Sequence, residues 1–122
     1  MTELERNIQA RIMMAVSRVP GALIWRNHVG QGWLGEYGGK LDGQDAIILK
    51  HARKTTFGLC PDSSDLIGIY RGRFTALEVK RPGKKPTDGQ QHFIDTIIDH
   101  DGIAGVVRSV DDARQLLGVD CG

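Results

Sequence analysis

No run of apolar residues in this chain approaches the ~20 needed to cross a bilayer. The N-terminal stretch MTELERNIQARI is charged throughout and lacks a signal peptide's apolar segment, so neither a membrane span nor a secretory leader is expected. Cysteine is scarce. Cys60 and Cys121 stand far apart, which suggests reduced thiols in an intracellular protein, and a domain of this size needs no disulfide scaffold. Two cysteines cannot make a zinc site alone, and His28, His51, His92 and His100 offer neither a cysteine partner nor an i, i+4 helical pair. Solvated or core positions are expected for these histidines. What the chain does have is ordinary for a globular protein: 40% hydrophobic and 25% charged residues in 122 positions. That length suits one domain over residues 1–122, burying roughly two-thirds of the surface its unfolded chain exposes.

The net charge of +1 says little about partners, but its distribution says more. Between Arg71 and Lys85, six cations face the single acid Glu78, a local charge of +5. From Asp95 to Asp120, six aspartates outnumber Arg108 and Arg114, a local charge of −4. A polyanion-binding face with a solvated back would look like this, as would clustering on an inert surface.

Leu4, Ile8, Ile12, Val16 and Val19 recur at intervals of three and four, predicting an amphipathic helix over 3–18 that Pro20-Gly21 stops. Ala22–Trp25 reads as a buried strand with Trp25 in the core. Six of the fourteen residues from Gly30 to Gly43 are glycine, which predicts a mobile loop or loose hairpin. Ala46–Leu49 is a further short strand. Two β-rich runs, 65–70 and 73–80, flank Arg71-Gly72 and read as a hairpin. Thr87 is positioned to cap a helix running to about His100, with Phe93, Ile94, Ile97 and Ile98 on one face and Gly102 ending it. Ala104–Arg108 is a strand, and Ser109 caps a last helix with Asp111 and Asp112 in its first turn. This order suggests an α/β fold, a mixed β-sheet with a hairpin flanked by α-helices.

Glu78 and Lys80 are two apart on a strand, so both leave one face while Leu77 and Val79 leave the other. Asp65 begins the partner strand and can reach the same neighbourhood. Hard divalent cations favour such oxygen donors, and Mg²⁺ commonly takes one or two carboxylates and keeps several waters. The loop Arg81-Pro-Gly-Lys-Lys85 that follows is basic and suited to phosphate contact. The competing reading is an exposed strand with an ordinary Glu–Lys pair and Asp65 as a turn residue. Trp33 and Tyr37, in the glycine-rich segment, are candidates for nucleic-acid contact together with Arg26. His51-Ala-Arg53-Lys54 is a second small basic patch, for phosphate or simply for water.

An aspartate, a hairpin and then Glu78-Val79-Lys80 resemble the PD-(D/E)xK nuclease superfamily. The wider pattern resembles its VRR-Nuc branch, in particular the stand-alone phage and bacterial members. It spans nearly the whole chain: Glu5, Trp25-Arg-Asn27, Asp65-Leu-Ile67, Phe74 to Lys80, Thr87 and Gln90 before Phe93-Ile94, and Ala104 to Ser109. The literal Pro-Asp dipeptide is Pro61-Asp62, but the family places its ligand aspartate directly before the apolar strand, where Asp65 stands. The resemblance implies a restriction-endonuclease-like core. In it, Asp65, Glu78 and the backbone carbonyl of Val79 hold Mg²⁺ or Mn²⁺, and Lys80 acts on the attacking water. It implies that Glu5 reaches the site through water or a second metal, and that Gln90 positions the water or a phosphate. Their plainer readings are a solvated helix acid near Arg6 and Gln9, and a surface residue in a first helical turn. Arg26, Arg81, Lys84 and Lys85 are the expected DNA contacts.

The activity so implied is hydrolysis of DNA phosphodiesters to 5′-phosphate and 3′-hydroxyl ends, in a cytoplasmic protein of a bacterial cell, host- or phage-encoded. Stand-alone members are associated with Holliday-junction resolution as homodimers, and a two-fold dimer would present two sites to opposed strands. The alternatives are a catalytically silent nucleic-acid-binding module of the same fold, a restriction-type or nicking nuclease, and a partner-binding protein that ignores nucleic acid.

Overall fold

The computed structural model describes residues 2–119. Along the chain run α1 (Glu3–Ser17), β1 (Ala22–Arg26), β2 (Gly30–Lys40), β3 (Ile47–Phe57), β4 (Leu66–Tyr70), β5 (Arg73–Val79), α2 (Asp88–Asp99), β6 (Ile103–Val107) and α3 (Val110–Leu117). Four strands form one sheet in the order β1-β4-β5-β6, and β2 pairs with β3 in a separate two-stranded ribbon. β1, β4 and β5 are antiparallel neighbours, whereas β6 runs parallel to β5 and is reached through α2. The fold is therefore α/β with a mixed sheet and flanking helices. None of the described helices is long and apolar enough to cross a membrane.

The β4–β5 hairpin closes at Arg71-Gly72, both at positive φ (49° and 81°), the two-residue geometry that matches strand twist. Alternation along β5 then divides the core. Leu77 and Val79 join Leu66 against Ile8, Ile12 and Val16 of α1 and Ala113 and Leu117 of α3. Ala76 joins Ile67 and Ala104 against Ile94 of α2. Thr87 caps α2 and Ser109 caps α3, each accepting from a backbone N–H three residues on. The left-handed residue after α2 is Asp101, one position before Gly102.

Several elements depart from the sequence pattern for identifiable reasons. Leu4 is 50% exposed, because the buried stripe of α1 runs through Glu5, Ile8, Gln9, Ile12 and Val16 and turns Leu4 outward. The glycine-rich segment is neither a mobile loop nor a hairpin in itself but one strand of the ribbon, and the short run expected at Ala46–Leu49 belongs to an eleven-residue strand that begins at Ile47. Trp25 is 42% exposed instead of core. It lies with Leu23 and Ile69 on the face that α2 occupies over β5 and β6, but α2 does not extend over β1. Ile98, expected on the buried face of α2, is also largely exposed. The four histidines are all exposed, as is the free thiol of Cys60; Cys121 and Asp120 lie outside the described residues.

Candidate active site

Asp65 immediately precedes β4, and Glu78 sits near the end of β5, so the hairpin brings them to one end of the sheet. The Asp65 Oδ2 accepts a hydrogen bond from the Val79 N–H at 2.9 Å, which ties the carboxylate to the neighbouring strand. Glu78 lies within hydrogen-bonding reach of Asp65 and, on its other side, of Lys80, with Glu78 Oε1 3.6 Å from Lys80 Nζ. Lys80 in turn donates its backbone N–H to the Val107 carbonyl at 3.1 Å, so β6 holds the strand end in place. Glu5 approaches from α1, close enough for its charge to raise the pKa of Asp65.

Most of this is shielded from water, with Asp65 half-buried. Glu5, Glu78 and Lys80 are 6%, 2% and 8% exposed, which removes the readings of Glu78–Lys80 as a surface pair and Glu5 as a solvated helix acid. Three carboxylates and one ammonium leave the cluster short of positive charge. Burial, and next the charge of Asp65, push Glu78 up to about 8, against the pull of Lys80. Burial also raises Asp65, although the Val79 N–H, Glu78 and Lys80 lower it. Glu5 Oε1 and Glu78 Oε2 are buried with no hydrogen-bond partner among the described residues. Leaving such atoms without a partner is costly, so the cluster is suited to a cation that none of its own side chains supplies.

Among the described residues, no three His, Cys, Asp or Glu side chains are gathered as a ready metal cage. A sparser set could hold a cation: the carboxylates of Asp65 and Glu78 with the Val79 backbone beside them, leaving the remaining positions to water and phosphate, as Mg²⁺ favours over an all-protein cage. Asp62 takes no part in the contacts described for this cluster. Its carboxylate packs directly on Gly89 in the first turn of α2, where any Cβ would collide with it.

Gln90 is half-buried at the start of α2, and its Oε1 accepts from the Thr87 N–H at 2.9 Å in a capping box. Its carbonyl oxygen is thus committed to the helix end. Arg26 is exposed at the end of β1, and Arg81, Lys84 and Lys85 are exposed beyond Lys80, with the Lys84 carbonyl accepting from Arg108 at 2.8 Å.

Two features were missed by sequence reasoning. Asn27 acts as a clamp: its Nδ2 donates to Ser63 Oγ (2.7 Å) and the Ser64 carbonyl (2.9 Å), while its Oδ1 accepts from the Leu59 N–H (3.0 Å). Its backbone N–H also bonds the Asp65 carbonyl at 2.8 Å. The loop that delivers Asp65 is therefore fastened to the end of β1. The second is a cleft of about 390 Å³ lined by Arg6, Gln9, Arg26, Asn27, His28, Val29 and Asp65. Gln9 follows Glu5 by four residues and follows Arg6 by three, helical intervals visible in the sequence but shared by any polar helix. Arg6 and Arg26 give this approach to Asp65 a cationic wall fit for a phosphate.

No family model matches the chain, and no curated protein matches it.

Proposed function

We propose that the chain is a Mg²⁺- or Mn²⁺-dependent endodeoxyribonuclease, with Asp65, Glu78 and Lys80 as its centre and the VRR-Nuc nucleases as the family it resembles. The observation that carries this reading is the buried cluster itself. Asp65 and Glu78 meet beside Lys80 at one end of the hairpin, Asp65 also lines an arginine-bearing cleft, and one buried carboxylate oxygen each of Glu78 and the nearby Glu5 has no partner among the described residues.

Asp65, Glu78 and the Val79 carbonyl would hold the cation. When bound, it would neutralise charge on the attacked phosphate and make water a stronger nucleophile. Lys80, fixed beside Glu78, orients that water and stabilises the negative charge gathering on the phosphorus oxygens. Glu5, buried on α1 within electrostatic reach of Asp65, accepts a hydrogen bond from a water or supports a second cation. Arg6 and Arg26 draw the DNA backbone into the cleft, and the Arg81–Lys85 loop takes a neighbouring phosphate. A domain of this size has little surface for reading bases, which favours branched or four-way DNA recognised by shape.

A two-fold homodimer fits this reading, since it sets two centres against opposed strands. The uncharged apolar patch of Leu23, Trp25 and Ile69, left open by α2, is a suitable self-complementary surface. Purified protein with Mg²⁺ or Mn²⁺ should cut four-way junctions or flaps, and Lys80→Ala should lower the rate on the order of 10³-fold. Intact junctions, or a Lys80→Ala protein as active as wild type, would refute it. Salt-sensitive DNA binding without any metal-dependent cutting would point to a silent binding module instead.

A further inference from the structure

The β2–β3 ribbon belongs to neither core cluster, and none of its residues takes part in the centre. Eleven residues per strand at ~3.3 Å each make it about 35 Å long, close to one turn of duplex DNA. Its pairing brings together two signals that lie twenty residues apart in the sequence. Trp33 faces Lys54, and Leu34 faces Arg53; beyond a bulge at His51, Glu36 faces Lys50 and Tyr37 faces Leu49. Cross-strand partners share a face. One face therefore carries Trp33, Tyr37 and Lys54, and the other Leu34, Arg53 and Lys50 with the acid Glu36 opposite Lys50. Gly32 leaves room for the Phe57 ring, which a Cβ there would strike.

Trp33 and Tyr37 are 60% and 68% exposed, too far out to stabilise the domain by burial. Lys40, Lys50, Arg53 and Lys54 outnumber Glu36 on the strands, and none of the four has an acid within ion-pairing distance among the described residues. A second copy of the ribbon would bring like charge against like, whereas a polyanion would neutralise it. The shape is also right, because the major groove of B-DNA admits a two-stranded β-ribbon. At the root, the Leu59 N–H bonds the Asn27 side chain that also fastens the Asp65 loop, so the ribbon springs from the edge of the arginine-lined cleft.

We propose that the β2–β3 ribbon is a DNA-binding arm that lies along a duplex groove, with Trp33 and Tyr37 turned to sugar and base surfaces, Lys54 on a phosphate beside them, and the long side chains of Lys50 and Arg53 reaching past the strand edge from the opposite face to flanking phosphates. The proposal rests on the nuclease reading for the identity of the polyanion and adds to it the element that holds duplex next to the centre. In metal-free buffer, fluorescence anisotropy with labelled duplex and four-way DNA measures affinity across a salt series. Circular dichroism melting of each variant reports that the fold is intact.

Arg53→Ala with Lys54→Ala should weaken binding about tenfold near 50 mM salt and lower the slope of log affinity against log salt by about two. Trp33→Ala with Tyr37→Ala should weaken binding while leaving that slope unchanged. Wild-type affinity and slope in the Arg53/Lys54 double variant would overturn the arm. So would a fall from dimer to monomer in the Trp33/Tyr37 variant with affinity per site unchanged, which would make the ribbon a self-association surface. The two readings fail separately. A wild-type protein that cuts nothing with Mg²⁺ or Mn²⁺ while the variants lose binding sinks the nuclease and keeps the arm. A wild type that cuts while the variants bind normally does the reverse.

Discussion

The four-stranded sheet and the β2–β3 ribbon contain equal lengths of strand and treat apolar surface in opposite ways. In the sheet, Leu66, Leu77 and Ala76 are fully covered, since α1 and α3 close one face and α2 closes part of the other. In the ribbon, Trp33, Tyr37, Ile47 and Phe57 stay exposed, because two strands have no second layer to pack on. Layering is what allows the sheet to keep Glu78 and Lys80 out of water at the end of β5. An unlayered ribbon can act only through its surface.

The largest effect should come from breaking the layered half. Leu66→Ala removes a side chain with no exposed surface between α1 and the sheet and should cost about 2–5 kcal/mol in denaturant unfolding. Tyr37→Ala should change the same measurement by less than about 0.5 kcal/mol. A ribbon variant as damaging as the core one would erase the distinction. Asn27 is the joint between the halves. Asn27→Ala gives up three side-chain hydrogen bonds and should cost about 1–3 kcal/mol. Its specific signature is faster amide exchange over residues 59–64, with β5 still protected; uniform exchange across both would make Asn27 an ordinary structural residue.

A smaller and more particular effect should appear with pH. In metal-free protein the unfolded chain releases the Glu78 proton near 4.5, while the folded chain keeps it until about 8. The folded state therefore binds more protons across that interval, and stability falls as pH rises through it, levelling off above. The raised Asp65 adds the same sign at the acid end. Glu78→Gln should remove this decline, and a decline that survives in Glu78→Gln would show that it arises elsewhere.

What the sequence makes legible follows the same division. The helix through Ile8, Ile12 and Val16 and the hairpin at Arg71-Gly72 are readable because burial and turn geometry leave periodic or local marks. Asp65, Glu78 and Lys80 are readable as a group because they sit on the two strands of one hairpin. The ribbon is not readable as strand, since glycine breaks its pattern and no buried face imposes alternation. Trp25 depends on how far α2 reaches across the sheet, and Leu4 against Glu5 on a rotation of one residue about the α1 axis; both are tertiary facts. The Asn27 clamp joins loops more than thirty residues apart, with no local mark at either end.

The claim that the buried carboxylates exist to hold a divalent cation is tested most directly by thermal unfolding at neutral pH, with Mn²⁺ titrated through the millimolar range. Binding to the folded state alone should raise the wild-type Tm with the logarithm of Mn²⁺ concentration, and Glu78→Gln should lose that rise. A wild-type Tm indifferent to Mn²⁺, or an equal rise in Glu78→Gln, would contradict it.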